Sequence, residues 1–301
     1  DVVALGWPDI EGWVRDSGSH LGTRRTVPTA DDLTALASAI ESHHLDALVV
    51  IGGLNAYRSV TLLDAARHDH PALDLPVVVV PCSIDNNLPG VQMAIGADTA
   101  VNVAVQTIDR VKRSATAEPR AFVVEVTGRT CGFLALASGV AAGAERVYLN
   151  EDGISLDRLA ADVARMRTDF ATGQALWLAL RNEDASGLYS LDLLTAMFGS
   201  YARGAFSVRG DAIGHSQQGG VPTPFDRINS VRLASGSMQW LDAELDSGGT
   251  AHVFATPEGT RPGVELAPLV DFAAGRLVDQ WWEVLRPVLD ALGRRPPTAS
   301  V

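Results

Sequence analysis

The chain has 301 residues, enough for one large or two ordinary domains, and its 47% hydrophobic and 20% charged content suits a globular fold with a real core. A formal net charge of −12 and a pI of about 4.9 argue against an extended nucleic-acid surface, while leaving room for a few arginines to converge on one small phosphorylated ligand. Two cysteines, Cys82 and Cys131, stand far apart in no CxxC arrangement, which fits a reducing, cytoplasmic setting and supplies no zinc ligand set. No apolar run reaches the length of a membrane span and no signal-peptide pattern is present. The chain opens on "DVVALGWPDI", without an initiator methionine, and so reads as a fragment.

Strand and helix signals alternate along the chain. "DALVVIGG" (46–53) reads as a strand ending in a tight turn, followed by a helix through "AYRSVTLLDAARH". "LPVVVVP" (75–81) is the next strand, and its unbroken valines predict burial on both faces. "GADTAVNVAVQTIDRVKRSA" (96–115) predicts a helix with Val101, Val105, Ile108 and Val111 on one face. "RAFVVEV" (120–126) is a third strand, and the turn "TGRTCG" leads into the helical "FLALASGVAAGA". "ERVYLNE" follows as a short strand, then "SLDRLAADVARMRTDF" as a helix with Ser155 as N-cap. "ALWLALRNE" (175–183) repeats the strand-then-polar-loop arrangement. A long helix is expected over "PFDRINSVRLASGSMQWLDAEL" (224–245), and a last one over "DQWWEVLRPVLDALG" before a Pro-rich tail. This alternation predicts parallel sheets with helices on both faces, an α/β fold, with no internal repeat.

Strands buried on both faces carry chemistry just past their carboxyl ends, where Asp85, Asn86 and Asn87 follow Val77–Val80. Read locally, the three form an Asx-type turn. Read by position, they face a ligand, with Asp85 either a base or a ligand holder. Gly52 and Gly53 after "LVVI" resemble a phosphate-cradling turn, but Leu54, Asn55 and Ala56 add no carboxylate for magnesium and no further glycine. The stretch is neither GxGxxG nor a P-loop and reads as a structural turn. Arginines in "GTRRT" (22–26), "PRAF" (119–122) and "TGR" (127–129) read singly as solvated charges. "VRGDAIGHSQQGG" (208–220) differs, because Arg209 and His215 bracket a short strand and are placed to grip an oxyanion where it enters its loop. Glu183, at the end of "LALRNE", suits a sugar hydroxyl and a loop salt bridge equally. No serine–histidine–acid motif and no HExxH appears, and Trp281 and Trp282 read as packing residues.

In this order, "PCSIDNN", "GADTA", "DRVKRSA", "VVEVTGRTCGFLAL", "GHSQQGGVPTPFDR" and "QWWEVLRP" resemble the motifs of the phosphofructokinase family over nearly the whole chain. The likeness is closest to the C-terminal, regulatory half of the duplicated eukaryotic-type 6-phosphofructokinases. "GWPDIEGWVRDSGSHLGTRRT", "LALRNE", "GHSQQGG" and the double tryptophan are features of that half. The resemblance implies the phosphofructokinase fold, two Rossmann-like three-layer lobes with mainly parallel sheets. A larger lobe on the ancestral nucleotide side would take residues 1–96 and 222–292. A smaller sugar-phosphate lobe would take 97–221, with the ligand in the cleft between the two and 293–301 a disordered tail. The family's opening strand and Gly-rich ATP-phosphate loop have no match here, so the first lobe is expected to lack them.

The family phosphorylates fructose 6-phosphate on its 1-hydroxyl with ATP and magnesium, a glycolytic step. In duplicated members the N-terminal half does this, and the C-terminal half turns the sugar site into one for the activator fructose 2,6-bisphosphate. Carried over by position, Asp85 falls where an active half keeps its general base. Asn87 falls where active halves have a second aspartate, Leu54 where they have the magnesium-linked aspartate of GGDGS, and Ala56 replaces its serine. ATP and magnesium are therefore expected in the full enzyme and not in this half, where Gly52 and Gly53 remain as nucleotide-side remnants and no metal ligand is expected. Arg209 and His215 match phosphate ligands, Glu183 a sugar-hydroxyl ligand, and Arg120 an arginine reaching in from a neighbouring subunit. Ser83, Asn86, Thr127, Gly128 and Arg129 line the same position, and Arg25 matches an arginine that helps to hold phosphate. Gln218 replaces an arginine of active halves, and Arg276 falls one residue from another.

Regulatory halves usually have serine where Asp85 stands. At roughly 4 Å and surface-like dielectric, a carboxylate repels each phosphate charge by about 4 kcal/mol before screening. This leaves fructose 6-phosphate and the 1,6-bisphosphate open beside the 2,6-bisphosphate. The resemblance thus implies a cytoplasmic, allosteric, sugar-phosphate-binding half in a tetramer-like homo-oligomer, joined to a catalytic N-terminal half. Asp85 would be a remnant base or a hydroxyl acceptor. Two alternatives stand beside it: a competent kinase half using Asp85, and a structural pseudo-subunit that binds no sugar.

Overall fold

The computed structural model describes residues 3–88, 91–114, 118–257, 264–268, 285 and 287–288. Its elements in chain order are α1 (Trp7–Ile10), α2 (Ala30–Ser42), β1 (Leu48–Gly52), α3 (Leu54–Ala66), β2 (Val77–Pro81), α4 (Ala97–Arg113), β3 (Arg120–Val126) and α5 (Phe133–Ala142). There follow β4 (Arg146–Tyr148), α6 (Leu156–Ala171), β5 (Leu176–Asn182), α7 (Leu191–Ala202), β6 (Ser207–Ala212), α8 (Pro224–Ser247), β7 (His252–Pro257) and β8 (Val264–Pro268). The chain divides into two units, one of residues 1–83, 87–98 and 221–279, the other of 84–86, 99–220 and 280–301. No helix among the described residues is long and apolar enough to cross a membrane.

In the first unit the strands run β1-β2-β7-β8, parallel except for the last pair. All five residues of β2 are buried, as its valines predict, because alternate side chains meet different layers. Val77 and Val79 pack with Val60 of α3 and with Phe254, while Val78 and Val80 pack with Leu233 of α8 and with Val253. On β1, at the sheet edge, Val49 and Ile51 lie in register with Val78 and Val80 yet remain 43% and 60% exposed. Helix α2 starts in a capping box, Thr29 with Asp32, and buries Leu33, Ala37 and Ile40 against Leu63 and Leu73.

His252, at the start of β7, is buried, with Nε2 at 3.2 Å from the Leu75 carbonyl oxygen. Its Nδ1 lies 3.2 Å from an Asp64 carboxylate oxygen without hydrogen-bonding geometry. Burial pulls its pKa below the ordinary histidine value of 6.5, with Asp64 opposing and Arg67 adding to the fall. The unfolded chain therefore takes up this proton at higher pH than the folded one. The stability from this site is full above about pH 6.5 and is lost as pH falls below that toward the depressed folded value. Thermal melts from about pH 8 to about pH 5 are expected to show this decline, and His252→Asn to flatten it; equal slopes in both proteins would place the titration elsewhere.

In the second unit all strands are parallel, in the order β4-β5-β3-β6. One face packs Ala121, Val123, Trp177 and Ala179 against Leu159 and Met166 of α6 and Leu194 and Phe198 of α7. Helix α5 packs against β3, β4 and β5, and its Gly139 lets the chain approach Val147, whose methyl would stand 2.4 Å from any added Cβ. On the buried face of α6, Asp162 accepts hydrogen bonds from Arg146 Nε and from the Tyr148 hydroxyl, both at 2.8 Å. Burial, and then the charge of Asp162, push that hydroxyl well above its ordinary pKa. Ser155 caps α6, accepting the Arg158 N–H as expected.

Three expectations need correction. The buried stripe of α4 is Ala97, Ala100, Ala104 and Ile108, continued by half-buried Val111, while Val101 and Val105 are half-buried beside it: small alanines form the innermost contact. Arg209 lies inside β6, paired in register with Phe122, and does not bracket it. Helix α3 follows the tight turn as expected but begins two residues earlier, at Leu54. The predicted last helix lies mostly outside the described residues, as do Arg276, Trp281 and Trp282.

Candidate functional site

The second unit gathers polar groups just past the carboxyl ends of its parallel strands, where a doubly wound sheet binds ligands. β3 ends at Val126, and the next three residues turn sharply, with φ of 140° at Gly128 and 49° at Arg129. A Cβ on Gly128 would meet the Cys131 carbonyl oxygen at 2.5 Å, so glycine is required there. The Cys131 N–H closes the turn on the Gly128 carbonyl at 2.9 Å.

Three donors of this turn converge on one oxygen. The Thr127 hydroxyl at 2.8 Å, the Gly128 N–H at 3.0 Å and the Arg129 N–H at 2.6 Å all donate to Glu183 Oε1. Successive amides around one anion form a nest, which favours negative charge. Burial works to raise the Glu183 pKa, but the bonds from Arg129, Thr127 and Gly128 outweigh it and hold the carboxyl below its ordinary value. Beneath it, buried Arg181 donates through NH1 to the Glu183 carbonyl at 2.7 Å and pairs with Glu125.

Asp85 belongs to the same unit and is half-buried. Burial raises its pKa, the charge of Glu183 adds to the rise, and Arg129 opposes it. Two carboxyls are thus pushed in opposite directions, a pattern found where one is to hold or move a proton and the other to stay charged. Asn86, beside Asp85, is buried at φ 49°, and its carbonyl accepts from the Cys131 thiol at 3.9 Å.

His215 and Gln218 are exposed on a 3-10 helix, Gly214–Gln218, that follows β6, and Arg209 is exposed on β6 itself. Arg120 is held by its own chain: Nε donates to Ser207 Oγ at 3.0 Å, NH1 to the Ser114 carbonyl at 3.2 Å, and NH2 pairs with Glu118. The bond and charge of Arg120 hold the Glu118 carboxyl below its ordinary pKa, with Ser207 and Arg209 contributing.

The remaining expected residues belong to the first unit. Ser83 Oγ donates to Asn87 Oδ1 at 3.4 Å, and the Ser83 N–H bonds to the Ile95 carbonyl at 3.0 Å. Gly53 faces Ser83, where a Cβ would sit at 3.2 Å, and a Cβ on Gly52 would meet Ala56 at 2.8 Å. Leu54 packs on the sheet core, and Asn55 Nδ2 donates to the Arg25 carbonyl at 2.7 Å, leaving the Arg25 side chain exposed. The turn after β1 therefore presents a leucine, an alanine and an amide committed to backbone, a donor set that does not fit a magnesium-bound nucleotide. Among the described residues no group of three His, Cys, Asp or Glu is placed to hold a metal ion.

Sequence reasoning missed Gln217, Asn182 and Glu118. Gln217 lies inside "GHSQQGG", but only the fold shows that it turns inward while its neighbours Ser216 and Gln218 face out. Asn182 and Glu118 carried no signal in the sequence.

The phosphofructokinase family model matches residues 1–241. The mouse ATP-dependent 6-phosphofructokinase, platelet type, is 36% identical over 97% of this chain and 39% of its own length. The ATP-dependent 6-phosphofructokinase 1 of Caenorhabditis elegans is 35% identical over 98% and 38%. The phosphofructokinase structure from Saccharomyces cerevisiae aligns with a TM-score of 0.89 at 29% identity, over 97% of this chain and 40% of that one. The T-state enzyme of Pichia pastoris gives 0.87 at 30% identity, over 97% and 36%. The chain belongs to the phosphofructokinase family, and the expected α/β fold is the one observed. It spans about two-fifths of the length of the curated relatives it matches.

Proposed function

We propose that this chain is the sugar-phosphate-binding, C-terminal-type regulatory part of a 6-phosphofructokinase that converts fructose 6-phosphate to the 1,6-bisphosphate in glycolysis. The observation that carries the reading is a contrast in donor chemistry. The second unit carries Arg209 on β6, His215 in the helical turn after it and, at its strand ends, a three-donor cradle around Glu183, while the turn after β1 has no carboxylate. Phosphoryl transfer depends on positioning and on cancelling charge at the transferring group, and a base with no metal-bound nucleotide opposite it has nothing to attack. Magnesium and ATP then belong to the catalytic part of the longer protein, where they would supply the phosphoryl group and cancel its charge.

In this reading Arg209 and His215 hold phosphate, Glu183 accepts a sugar hydroxyl, and Asp85 is a second hydroxyl acceptor. Thr127, Gly128 and Arg129 shape the cradle, with Asn86 beside it; Arg25, Ser83, Asn87 and Gln218 are further ligand-facing positions. A tetramer-like cytoplasmic assembly would couple occupancy to catalysis elsewhere. Calorimetric titration of the folded chain with fructose 6-phosphate and with fructose 1,6- and 2,6-bisphosphate tests the proposal. Saturable heat from at least one of them is expected, and silence from all three would overturn it.

The raised pKa of Asp85 favours a second reading, a competent kinase half in which Asp85 takes the hydroxyl proton. Formation of fructose 1,6-bisphosphate by the purified chain with ATP or pyrophosphate and magnesium, lost in Asp85→Asn, would establish it.

A further inference from the structure

We propose that Gln217 is a positioning residue: it ties the 3-10 helix that carries His215 and Gln218 to the 127–129 turn that cradles Glu183, while Asn182 holds the far end of that turn. The inference rests on the sugar-phosphate reading and adds what keeps the two ends of that site in register.

Gln217 is 1% exposed, and its Oε1 accepts the Thr127 N–H at 2.9 Å, the first residue of the turn. Asn182 is fully buried, and its Nδ2 donates at 3.4 Å to the carbonyl of Cys131, whose N–H closes the turn. It also bounds Gly128, where an added Cβ would stand 3.2 Å from Nδ2. Both ends of the cradle are therefore gripped by buried amides, and both amides adjoin proposed ligand residues in sequence: Gln217 lies next to Gln218 and two residues from His215, Asn182 next to Glu183.

Each amide is only half used. Gln217 Nε2 and Asn182 Oδ1 have no hydrogen-bond partner among the described residues. A buried polar atom left unpaired destabilises the fold by at least as much as one neutral hydrogen bond stabilises it. An apolar side chain of the same shape would remove the unpaired Nε2 but leave the Thr127 N–H without its acceptor, so the two effects on stability would largely cancel. Gln217 is thus poorly explained as a packing residue and well explained as the acceptor that fixes Thr127. With the Thr127 amide pinned, its hydroxyl and the next two N–H groups point at one place, and the phosphate-facing helix cannot shift without moving them.

Two substitutions separate positioning from packing. Gln217→Met keeps the volume and removes the acceptor. Gln217→Glu keeps an oxygen acceptor for Thr127, and burial favours its neutral acid. In calorimetric titration with fructose 6-phosphate, Gln217→Met is expected to bind about tenfold more weakly with a Tm close to that of the parent, and Gln217→Glu to recover most of the affinity. Amide hydrogen exchange without ligand is expected to be faster at Thr127, Gly128 and Arg129 in Gln217→Met alone. Wild-type affinity in Gln217→Met, or loss of affinity only in step with Tm, would overturn the proposal. If the unsubstituted chain takes no sugar phosphate, the functional reading fails, and equal exchange at these three amides in all proteins would overturn the Gln217 assignment by itself.

Discussion

Replacing Arg209 and His215 together by alanine is expected to weaken fructose 6-phosphate binding by about a hundredfold or more, with Tm within about 2 °C of the parent. Each charge-assisted bond to phosphate contributes about 1.5–3 kcal/mol, and two lost together exceed a factor of a hundred. Stability is spared because both side chains are exposed, one on β6 and one on the 3-10 helix, outside the buried clusters. Arg209→Lys is expected to recover part of the loss, since an ammonium keeps the charge and loses the planar fork. Calorimetric titration of the three variants decides it. Unchanged affinity in the double variant would take Arg209 and His215 out of the phosphate site.

Asp85→Asn is expected to tighten fructose 1,6- and 2,6-bisphosphate by about tenfold while changing fructose 6-phosphate much less. The raw repulsion of about 4 kcal/mol per charge pair at 4 Å is cut by solvent and salt to about 1.4 kcal/mol, a factor of ten. A monophosphate held at its far end by Arg209 and His215 lacks the second charge. The pH dependence carries an independent sign. Burial and the neighbouring Glu183 raise the pKa of Asp85, so its charge is lost at a higher pH than that of an ordinary aspartate. Bisphosphate affinity of the parent is therefore expected to approach that of Asp85→Asn as pH falls. The ratio of the two proteins cancels the titration of the phosphate groups themselves. A ratio of one at every pH would place Asp85 away from the second phosphate.

Much of this was legible before any coordinates. Val77–Val80 announced a strand buried on both faces because four β-branched apolar residues in a row leave no polar side to expose, and β2 is buried throughout. Ser155 announced the start of α6 through capping chemistry that is local in sequence. Helix α4 was recognised but rotated, because periodicity ranks valine above alanine while close packing favours the smaller side chain. Helices α1, α2 and α7 and strands β7 and β8 were not anticipated.

The residue types able to meet a sugar phosphate, and the family they signal, are properties of composition and local order, and these the linear sequence determined. What the sequence could not decide is which of those side chains are already engaged by the chain itself. Arg120 rests on Glu118 and Ser207, and Glu183 fills the cradle of Thr127, Gly128 and Arg129, through partners 50 or more residues away in all but one of these contacts. Hydrogen bonds and burial are set by distances in space, and only folding brings the ends of β3, β5 and β6 to one edge of a sheet.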